Sequence, residues 1–330
     1  MHVACPSGRL RLVTPLWLSG MTRIPFGALI ALALASAFLA TWPFRGDLAQ
    51  SVAVTTMTRP LAHATSWRFV PGAVDVTELE ADRSNVLVIG DQTISGRDLT
   101  EHDIAAIKNR VWTGSRLLLA YIDITDVGPA SSIWDQAWGL SRPAWSDGDS
   151  CDVANGMRVK FWDADWKALI FRRAGSLLDR AIAQGFDGVY AGGLTSFAHF
   201  NEPIETLNSE AVRFMAELAA VARKKKQGVV IMSDGNAALL AQADFRAAVD
   251  GVGIDGLLYG RDGQARRPVL DIWSAYSALR PLQADGKPVF AVEHVISGDI
   301  IDQATRELRR RGIVPGFEPS VPARGDHCAH

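Results

Sequence analysis

Short apolar runs alternate with amphipathic stretches along residues 66–320. Most runs are rich in Val, Ile and Leu without a polar residue at every second position, as is typical of parallel strands buried on both faces. The runs predict eight strands, at residues 67–70, 85–89, 117–122, 186–190, 228–232, 252–259, 288–293 and 312–317. The stretches between them predict helices, including those at 100–109, 164–184, 209–226, 237–249, 270–282 and 302–311.

Residues 161–200 show one repeat most clearly. Asp163 or Asp165 can cap a helix, because a short carboxylate accepts the free N–H groups of the first turn. An apolar stripe at helical spacing follows, and Gly185 stands where a left-handed C-terminal residue is favoured. The apolar run 186–190 and then Ala-Gly-Gly at 191–193 complete a helix-to-strand unit.

Eight such repeats over about 250 residues predict a single closed (β/α)8 barrel at residues 66–320. An open doubly wound sheet is the weaker alternative, since it usually has fewer strands and a glycine-rich first turn. The GxGxxG pattern at 251–256 falls within a predicted strand and does not open a helix. The segment after the third strand, 123–163, is long enough to predict a functional loop.

The first 45 residues predict a targeting segment. Residues 24–42 are apolar and follow Arg23, so they fit a signal peptide whose natural start is Met21, or an uncleaved membrane anchor. Residues 46–65 form a linker and 321–330 a polar tail. We therefore expect the barrel outside the cytoplasm, whether secreted, periplasmic or anchored facing outward, with membrane attachment through this segment alone.

Charge and cysteine content narrow the function classes. The net charge is −2 with both signs scattered, which argues against a nucleic-acid partner. The chain has no zinc-type Cys/His spacing and no phosphate loop, and no metal or cofactor is implied. If the leader is removed, Cys151 and Cys328 remain, and in an oxidising compartment they can either pair or stay free thiols.

Carboxylates follow several predicted strands, and catalytic groups of such barrels come from the carboxyl ends of strands. The candidates are Asp91, Asp123, Asp126, Asp234, Asp255 and Glu293. Glu293 is the strongest, because a charge ending an apolar run costs energy unless it is paired or used. Asp187 precedes the core of its strand and is expected to be structural. Asp91, Asp126 and Asp234 also fit turn or loop-capping roles.

Tryptophans cluster in and just after the long third loop, at positions 134, 138, 145, 162 and 166. Carboxylates with aromatic side chains nearby indicate carbohydrate chemistry, because glycoside cleavage needs one protonated and one ionised carboxyl group. Each tryptophan alone also fits packing within the loop or the core. Trp166 lies on the predicted buried stripe and is expected to be a core residue.

Five motifs in this order resemble glycoside hydrolase family 114, the endo-α-1,4-polygalactosaminidase-like (β/α)8 barrels. They are LAYIDITD (119–126), VKFWDADW (159–166), GFDGVY (185–190), GIDGLLY (253–259) and VE (292–293). The resemblance covers about residues 67–317, and it implies a barrel that cleaves an amino-sugar polysaccharide. The candidate substrate-binding residues are Tyr121, Trp162, Tyr190, Asp91, Asp234, Tyr259 and Trp138.

The chain departs from the family pattern at the fourth strand. Members follow Gly-Val-Tyr with Leu-Asp and another Asp three residues on, but this chain has Ala191-Gly192 and Thr195. The family's other acidic or polar positions correspond to Asp126, Asp123, Asp234-Gly235 and Asp255, and Glu293 alone is unchanged.

Two functions remain open. One is an exported glycoside hydrolase whose catalytic pair is drawn from Glu293, Asp126, Asp123 and Asp255. The other is a polysaccharide-binding barrel without catalysis, because Gly192 replaces the expected acid.

Overall fold

The structure, a computed structural model, describes residues 60–109, 116–195, 197–260, 265–295 and 297–319. The predicted targeting segment and polar tail lie outside the described residues, as does most of the linker. Among the helices that are described, none is both long and apolar enough to cross a membrane.

Strands in the described residues fall into two sheets. They are β1 (Trp67–Val70), β2 (Val86–Ile89), β3 (Leu117–Asp123), β4 (Asp126–Val127), β5 (Ser146–Asp149), β6 (Met157–Val159), β7 (Gly188–Gly192), β8 (Val230–Ser233), β9 (Gly251–Asp255), β10 (Val289–Glu293) and β11 (Ile313–Phe317).

The α-helices lie between these strands and mostly precede the next barrel strand. They are α1 (Val76–Ala81), α2 (Glu101–Lys108), α3 (Ala164–Lys167), α4 (Leu177–Gln184), α5 (Ile204–Lys225), α6 (Ala237–Ala241), α7 (Ala243–Ala248), α8 (Val269–Ala284) and α9 (Gly298–Arg310).

Eight parallel strands form the predicted (β/α)8 barrel, in the order β1-β2-β3-β7-β8-β9-β10-β11. The last strand returns beside the first, where a Cβ on Gly316 would lie 2.6 Å from the indole nitrogen of Trp67. All eight predicted strands are present, with bounds shifted by a few residues. The fold prediction is confirmed.

Side chains alternate between the barrel interior and the helix layer. The interior cluster includes Trp67, Tyr190, Met232 and Phe290, while the larger cluster lies between strands and helices. Leu61, from a 3₁₀ turn at Pro60–His63, is also buried in the interior cluster. The last residues of the predicted linker therefore contribute to the barrel core.

The long third loop has structure of its own. β4, β5 and β6 form a small antiparallel sheet, with Asp126 opposite Arg158 and Val127 opposite Met157. This sheet is too short and too polar to show as a periodic pattern, so the sequence predicts the loop but not its strands.

The prediction of a single helix at 164–184 is wrong. Asp163 caps α3 as expected, but the chain continues as a π-helical turn (Ala168–Arg172) and then breaks. Gly175 takes a positive φ of 72°, and Ser176 caps a separate α4. The apolar stripe runs through both pieces, which is why periodicity alone joins them. Gly185 ends α4 in the left-handed conformation, as predicted, with φ 97°.

Other local predictions are tested at single residues. Thr100 and Asp103 form a capping box at α2, and Trp166 is a buried core residue. Asp187 binds Lys108 Nζ at 2.6 Å and accepts from the Leu118 N–H, so its structural role is confirmed. The helix predicted at 237–249 is instead the two short helices α6 and α7, because Gln242 has extended backbone angles between them.

Candidate active site

A cavity of about 490 Å³ opens at the carboxyl ends of the barrel strands. Its walls include five carboxylates, Asp123, Asp126, Asp152, Asp234 and Asp255. A second cavity of about 510 Å³ adjoins it and shares Tyr121, Asp123 and Asp126. Among the described residues that line the two cavities, none is Lys, Arg or His. The combined surface is therefore strongly acidic.

Asp123 ends β3 and points into the cavity. Its Oδ1 accepts from the N–H groups of Thr125 and Asp126 at 3.1 and 3.0 Å, and Tyr121 Oη lies 3.4 Å from Oδ2. Burial, with a further contribution from the charge on Asp126, raises the pKa of Asp123 to about 7. This carboxyl group is therefore partly protonated near neutral pH.

Asp234 follows β8 and lies against the end of β7. It accepts from the N–H groups of Gly193 and Leu194 at 3.1 and 3.0 Å. Burial raises the pKa of Asp234 to about 6, although these two backbone hydrogen bonds favour the ionised form. Its two oxygens bind the β7 tip, so Asp234 shapes the cavity floor as well as contributing charge.

Gly192 ends β7 and Gly193 follows it, and the surrounding side chains leave no room for a larger residue at either position. A Cβ on Gly192 would lie 2.5 Å from Tyr121 Oη, because the tyrosine ring packs directly over this glycine. Gly193 has φ 99°, and a Cβ there would lie 3.1 Å from Asp123 Oδ1. The β7 tip thus carries no carboxylate, but it lets Asp123 and Asp234 approach it from either side.

Three aromatic rings line the base of the cavity. Phe69 packs against Tyr121 and Tyr190 with centroid distances of 5.7 and 5.2 Å, and the two tyrosines stack at 6.0 Å. Burial and the nearby aspartates raise the pKa of both tyrosines well above the usual value. Both phenols therefore remain protonated and can donate hydrogen bonds.

Asp255 ends β9 at the far wall of the cavity. One oxygen, Oδ1, lies 2.6 Å from Nε2 of His294, which directly follows β10. His294 is 7% exposed, and its Nδ1 lies 3.4 Å from the Pro319 carbonyl. His294 is not among the site residues predicted from the sequence. Its position directly after a strand-end Glu is the only signal that could have found it.

Asp126 lies in β4 and lines both cavities. Burial raises its pKa, while hydrogen bonds from Ser150 and Thr125 and the charge of Arg158 oppose that shift. Asp126 therefore joins the small sheet of the long loop to the acidic wall. The structure brings together three of the four predicted catalytic residues.

The fourth, Glu293, is placed elsewhere. Phe290 and Val292 face the barrel interior, so Glu293 turns outward and is fully buried. Its two oxygens accept from the N–H groups of Leu258 and Tyr259, both at 2.9 Å. Burial raises the pKa of Glu293 to about 7. The cost of burying the Glu293 carboxyl group is offset by its hydrogen bonds to the segment after β9. Glu293 does not line either cavity.

The remaining predicted binding residues are dispersed. Asp91 lines the second cavity, but it pairs with Arg180 at 3.0 Å and binds the Ser132 hydroxyl. Trp138 and Trp162 are both half-buried. Trp138 packs against Trp134 and Trp145. Trp162 packs against Phe161 and Phe200. Tyr259 is buried under Arg266. Neither tryptophan nor Tyr259 lines the cavities, whereas Tyr121, Tyr190 and Asp234 do.

Cys151 lies in the long loop and is disulfide-bonded. Cys328 lies outside the described residues, so its pairing with Cys151 stays a prediction. The described residues contain no cluster of three or more His, Cys, Asp or Glu side chains arranged to hold a metal ion.

Comparisons with known proteins bear on the fold of this chain. No protein-family model matches the chain. A Deinococcus radiodurans protein without assigned function is 29% identical over 214 residues, 64% of this chain and just under two thirds (66%) of the relative's length. A Methanocaldococcus jannaschii protein, also without assigned function, is 26% identical over 77% of this chain and 74% of its own.

Among solved structures, the glycoside hydrolase domain of PelA from Pseudomonas aeruginosa matches with a TM-score of 0.57. The identity is 20%, and the match covers 78% of this chain and 96% of that domain. At this identity the likeness establishes a shared barrel fold.

Proposed function

We propose that this chain is a glycoside hydrolase that cleaves a polysaccharide by acid/base catalysis between Asp123 and Asp255. The observation that supports it best is the convergence of these carboxylates on one cavity at the carboxyl end of a (β/α)8 barrel. Their environments differ, and a pair of carboxyl groups in different protonation states is what glycoside cleavage requires.

Asp123 has the properties of the acid. With a pKa of about 7 it retains a proton that it can donate to the glycosidic oxygen. As the bond from that oxygen to the anomeric carbon breaks, its electron pair stays with the oxygen. Tyr121, 3.4 Å from Asp123 Oδ2, can stabilise the carboxylate that remains.

We assign the role of the ionised partner to Asp255, because its Oδ1 lies 2.6 Å from Nε2 of His294, and a ring N–H that donates to a carboxylate favours the ionised form. In the proposed reaction it takes a proton from the attacking water, or bonds to the anomeric carbon before water releases it. Either route consumes one water and yields one new reducing end per bond cleaved.

The cavity charge favours a cationic substrate. Carboxylates on the described walls attract protonated amines, and Phe69, Tyr121 and Tyr190 offer aromatic faces to sugar rings. We therefore propose an amino-sugar polymer with free amino groups, bound across both cavities.

The test is the release of reducing ends from a deacetylated amino-sugar polymer and from a neutral glucan. We expect cleavage of the first, with kcat reduced at least about 100-fold in Asp123→Asn and Asp255→Asn. Asp244→Asn on the exposed face of α7 is the matched control and should be unchanged. A wild-type protein that releases no reducing ends from either polymer would sink the proposal.

A binding barrel without catalysis is the second candidate, because β7 ends in Gly192 where a catalytic carboxylate is expected. In that case the amino-sugar polymer should bind saturably with no new reducing ends. Asp123→Asn and Asp255→Asn should then weaken binding only modestly, each removing one of several charges.

We also propose that the barrel works outside the cytoplasm. The disulfide at Cys151 supports this, since structural disulfides persist mainly in oxidising compartments. Fractionation of the native host should place the protein outside the cytoplasm, and an intact N-terminus in the cytosolic fraction would contradict the proposal.

A further inference from the structure

We propose that the Tyr190 hydroxyl, on the floor of the 490 Å³ cavity, donates a hydrogen bond to an oxygen of a sugar unit held by Asp234 and Asp255. This role rests on the proposed function for the class of ligand, a carbohydrate. The position of the hydroxyl itself is read from the described residues.

Tyr190 is a buried residue whose hydroxyl is left for a ligand. Only 3% of its surface is exposed, and its ring packs against Phe69 and Tyr121. It nevertheless lines the cavity, and within the described part of the chain its hydroxyl makes no hydrogen bond. A polar group in such a place is completed by whatever enters the cavity, because leaving it unpaired costs free energy.

The other side-chain donors on the described walls of this cavity are already used within the chain. They are the hydroxyls of Tyr121, Thr125 and Thr195, which contact aspartate oxygens at 3.4, 3.2 and 3.4 Å, and the Trp67 indole, which donates to the Ala291 carbonyl. Carboxylates can only accept when ionised. Tyr190 is therefore the side-chain donor that this described acidic wall offers to a ligand oxygen.

Gly253 on β9 leaves the space that the Tyr190 hydroxyl fills. A Cβ on Gly253 would lie 2.4 Å from Tyr190 Oη and 2.9 Å from Cε2. Gly253 does not have a positive φ, so the phenol rather than the backbone accounts for the absence of a side chain. The glycine pattern at 251–256 thus serves the cavity floor at this position.

The same placement brings the hydroxyl close to two acids. Asp255 follows Gly253 by two residues, so both face the same side of β9. Burial, and then the charges of Asp234 and Asp255, raise the pKa of Tyr190 well above the usual value. The phenol keeps its proton and acts as a donor. A sugar unit matches this set, because its O–H or N–H groups can donate to the carboxylates while one of its oxygens accepts from Tyr190.

Calorimetric binding of a tetramer prepared from the deacetylated amino-sugar polymer tests the hydroxyl. The parent protein carries Asp123→Asn, so that the tetramer is not cut during the measurement. Adding Tyr190→Phe should weaken binding about 5–10-fold, the loss of one hydrogen bond. Its Tm should be unchanged or higher, because the deleted hydroxyl makes no hydrogen bond within the described chain.

Tyr276→Phe is the matched control. The Tyr276 hydroxyl on α8 lies 3.2 Å from Glu307 Oε1, so its loss should lower Tm by about 2–4 °C and leave tetramer binding unchanged. Gly253→Ala should weaken binding at least as much as Tyr190→Phe, because its methyl group displaces the hydroxyl. Gly139→Ala, with nothing within 4 Å of its Cβ, should bind as the parent does.

The outcomes separate this role from the proposed hydrolysis. Equal affinity of Tyr190→Phe and its parent overturns the role, and so does a joint fall in affinity and Tm, which would show a structural hydroxyl. Wild-type protein that binds the tetramer but releases no reducing ends overturns the hydrolysis alone. Wild-type protein that binds no tetramer overturns both.

Tyrosine ¹³Cζ NMR locates the contact directly. The chain has four tyrosines, so comparison with Tyr190→Phe assigns the signal. Saturating tetramer should shift the Tyr190 signal, because the phenol gains a hydrogen bond, and should leave the Tyr276 signal in place. A Tyr190 signal that does not move at saturation overturns the proposed contact.

Discussion

At the scale of single residues, the site is built from carboxyl groups that the fold holds in unfavourable surroundings. Asp123 and Asp234 are desolvated by the barrel mouth, and their pKa values rise to about 7 and about 6. Such groups suit proton transfer near neutral pH, but they reduce the stability of the folded chain.

Asp123→Asn should stabilise the protein at pH 8 by about 1–2 kcal/mol, a value reduced from the full shift because the site is partly solvated. The pKa of Asp123 is raised to about 7 in the folded state. The protonated side chain therefore costs no stability below about pH 4, and the free energy of unfolding falls as the pH rises from there through about 7. The gain over wild type should therefore vanish near pH 4. Urea unfolding at both pH values measures it, and a gain that persists at pH 4 would contradict the titration argument.

The contact between Gly192 and Tyr121 gives a second prediction at this scale. Gly192→Ala should destabilise the fold by about 1–3 kcal/mol, because the new methyl group must displace the Tyr121 ring. Gly139→Ala has open space around its Cβ and should change stability little. Thermal unfolding of the two variants compares them directly, and equal effects would show that Tyr121 moves freely.

At the scale of elements, the barrel strands are predictable and the pieces around the site are less so. Buried parallel strands leave uninterrupted apolar runs, and all eight are recovered. The sheet β4–β6 has only two to four residues per strand and leaves no such signal. The break between α3 and α4 is hidden, because both pieces bury the same apolar stripe.

The positions of the carboxylates at the strand ends predict only some of the acids that line the cavity. Asp123 and Asp255 follow from the rule that catalytic groups end the strands. Glu293 also ends a strand, but the alternation of β10 turns it away from the interior. Sequence spacing does not fix on which side of the barrel the last residue falls. His294 was missed for the same reason.

Glu293→Ala should loosen the segment after β9. Removing the carboxylate leaves the N–H groups of Leu258 and Tyr259 buried without their acceptor, at a cost of about 2–4 kcal/mol. Hydrogen exchange at these two amides should accelerate strongly, while Glu293→Gln, which keeps one acceptor, should fall between. Unchanged exchange in Glu293→Ala would show that the loop is held by other contacts.

At the scale of the whole molecule, the barrel joins distant parts of the chain. The Trp67 indole donates to the Ala291 carbonyl at 3.0 Å, linking β1 to β10, and Leu61 fills the interior beside Gly251. These contacts form only because the barrel closes and brings distant segments together. The predicted fold therefore implies that such contacts exist, but the sequence does not show which residues make them.

The disulfide is the prediction that concerns the whole chain. Peptide mapping without reduction should recover Cys151 joined to Cys328, and reduction should add the mass of two hydrogens. The cross-link would tie the chain end to the long loop and slow unfolding. A Cys151 peptide joined to Cys5 would instead show that the leader is retained.

Tyr121 over Gly192 also limits which sequences this chain can reach by single mutations. A carboxylate at position 192 would occupy the space of the phenol ring, so Gly192→Asp meets a steric barrier while Tyr121 is present. A smaller residue at 121 would first leave a hole beside Phe69 and Tyr190. Each change is harmful alone and tolerable only with the other. Descendants of this sequence are therefore expected to keep their acids on the strands flanking β7.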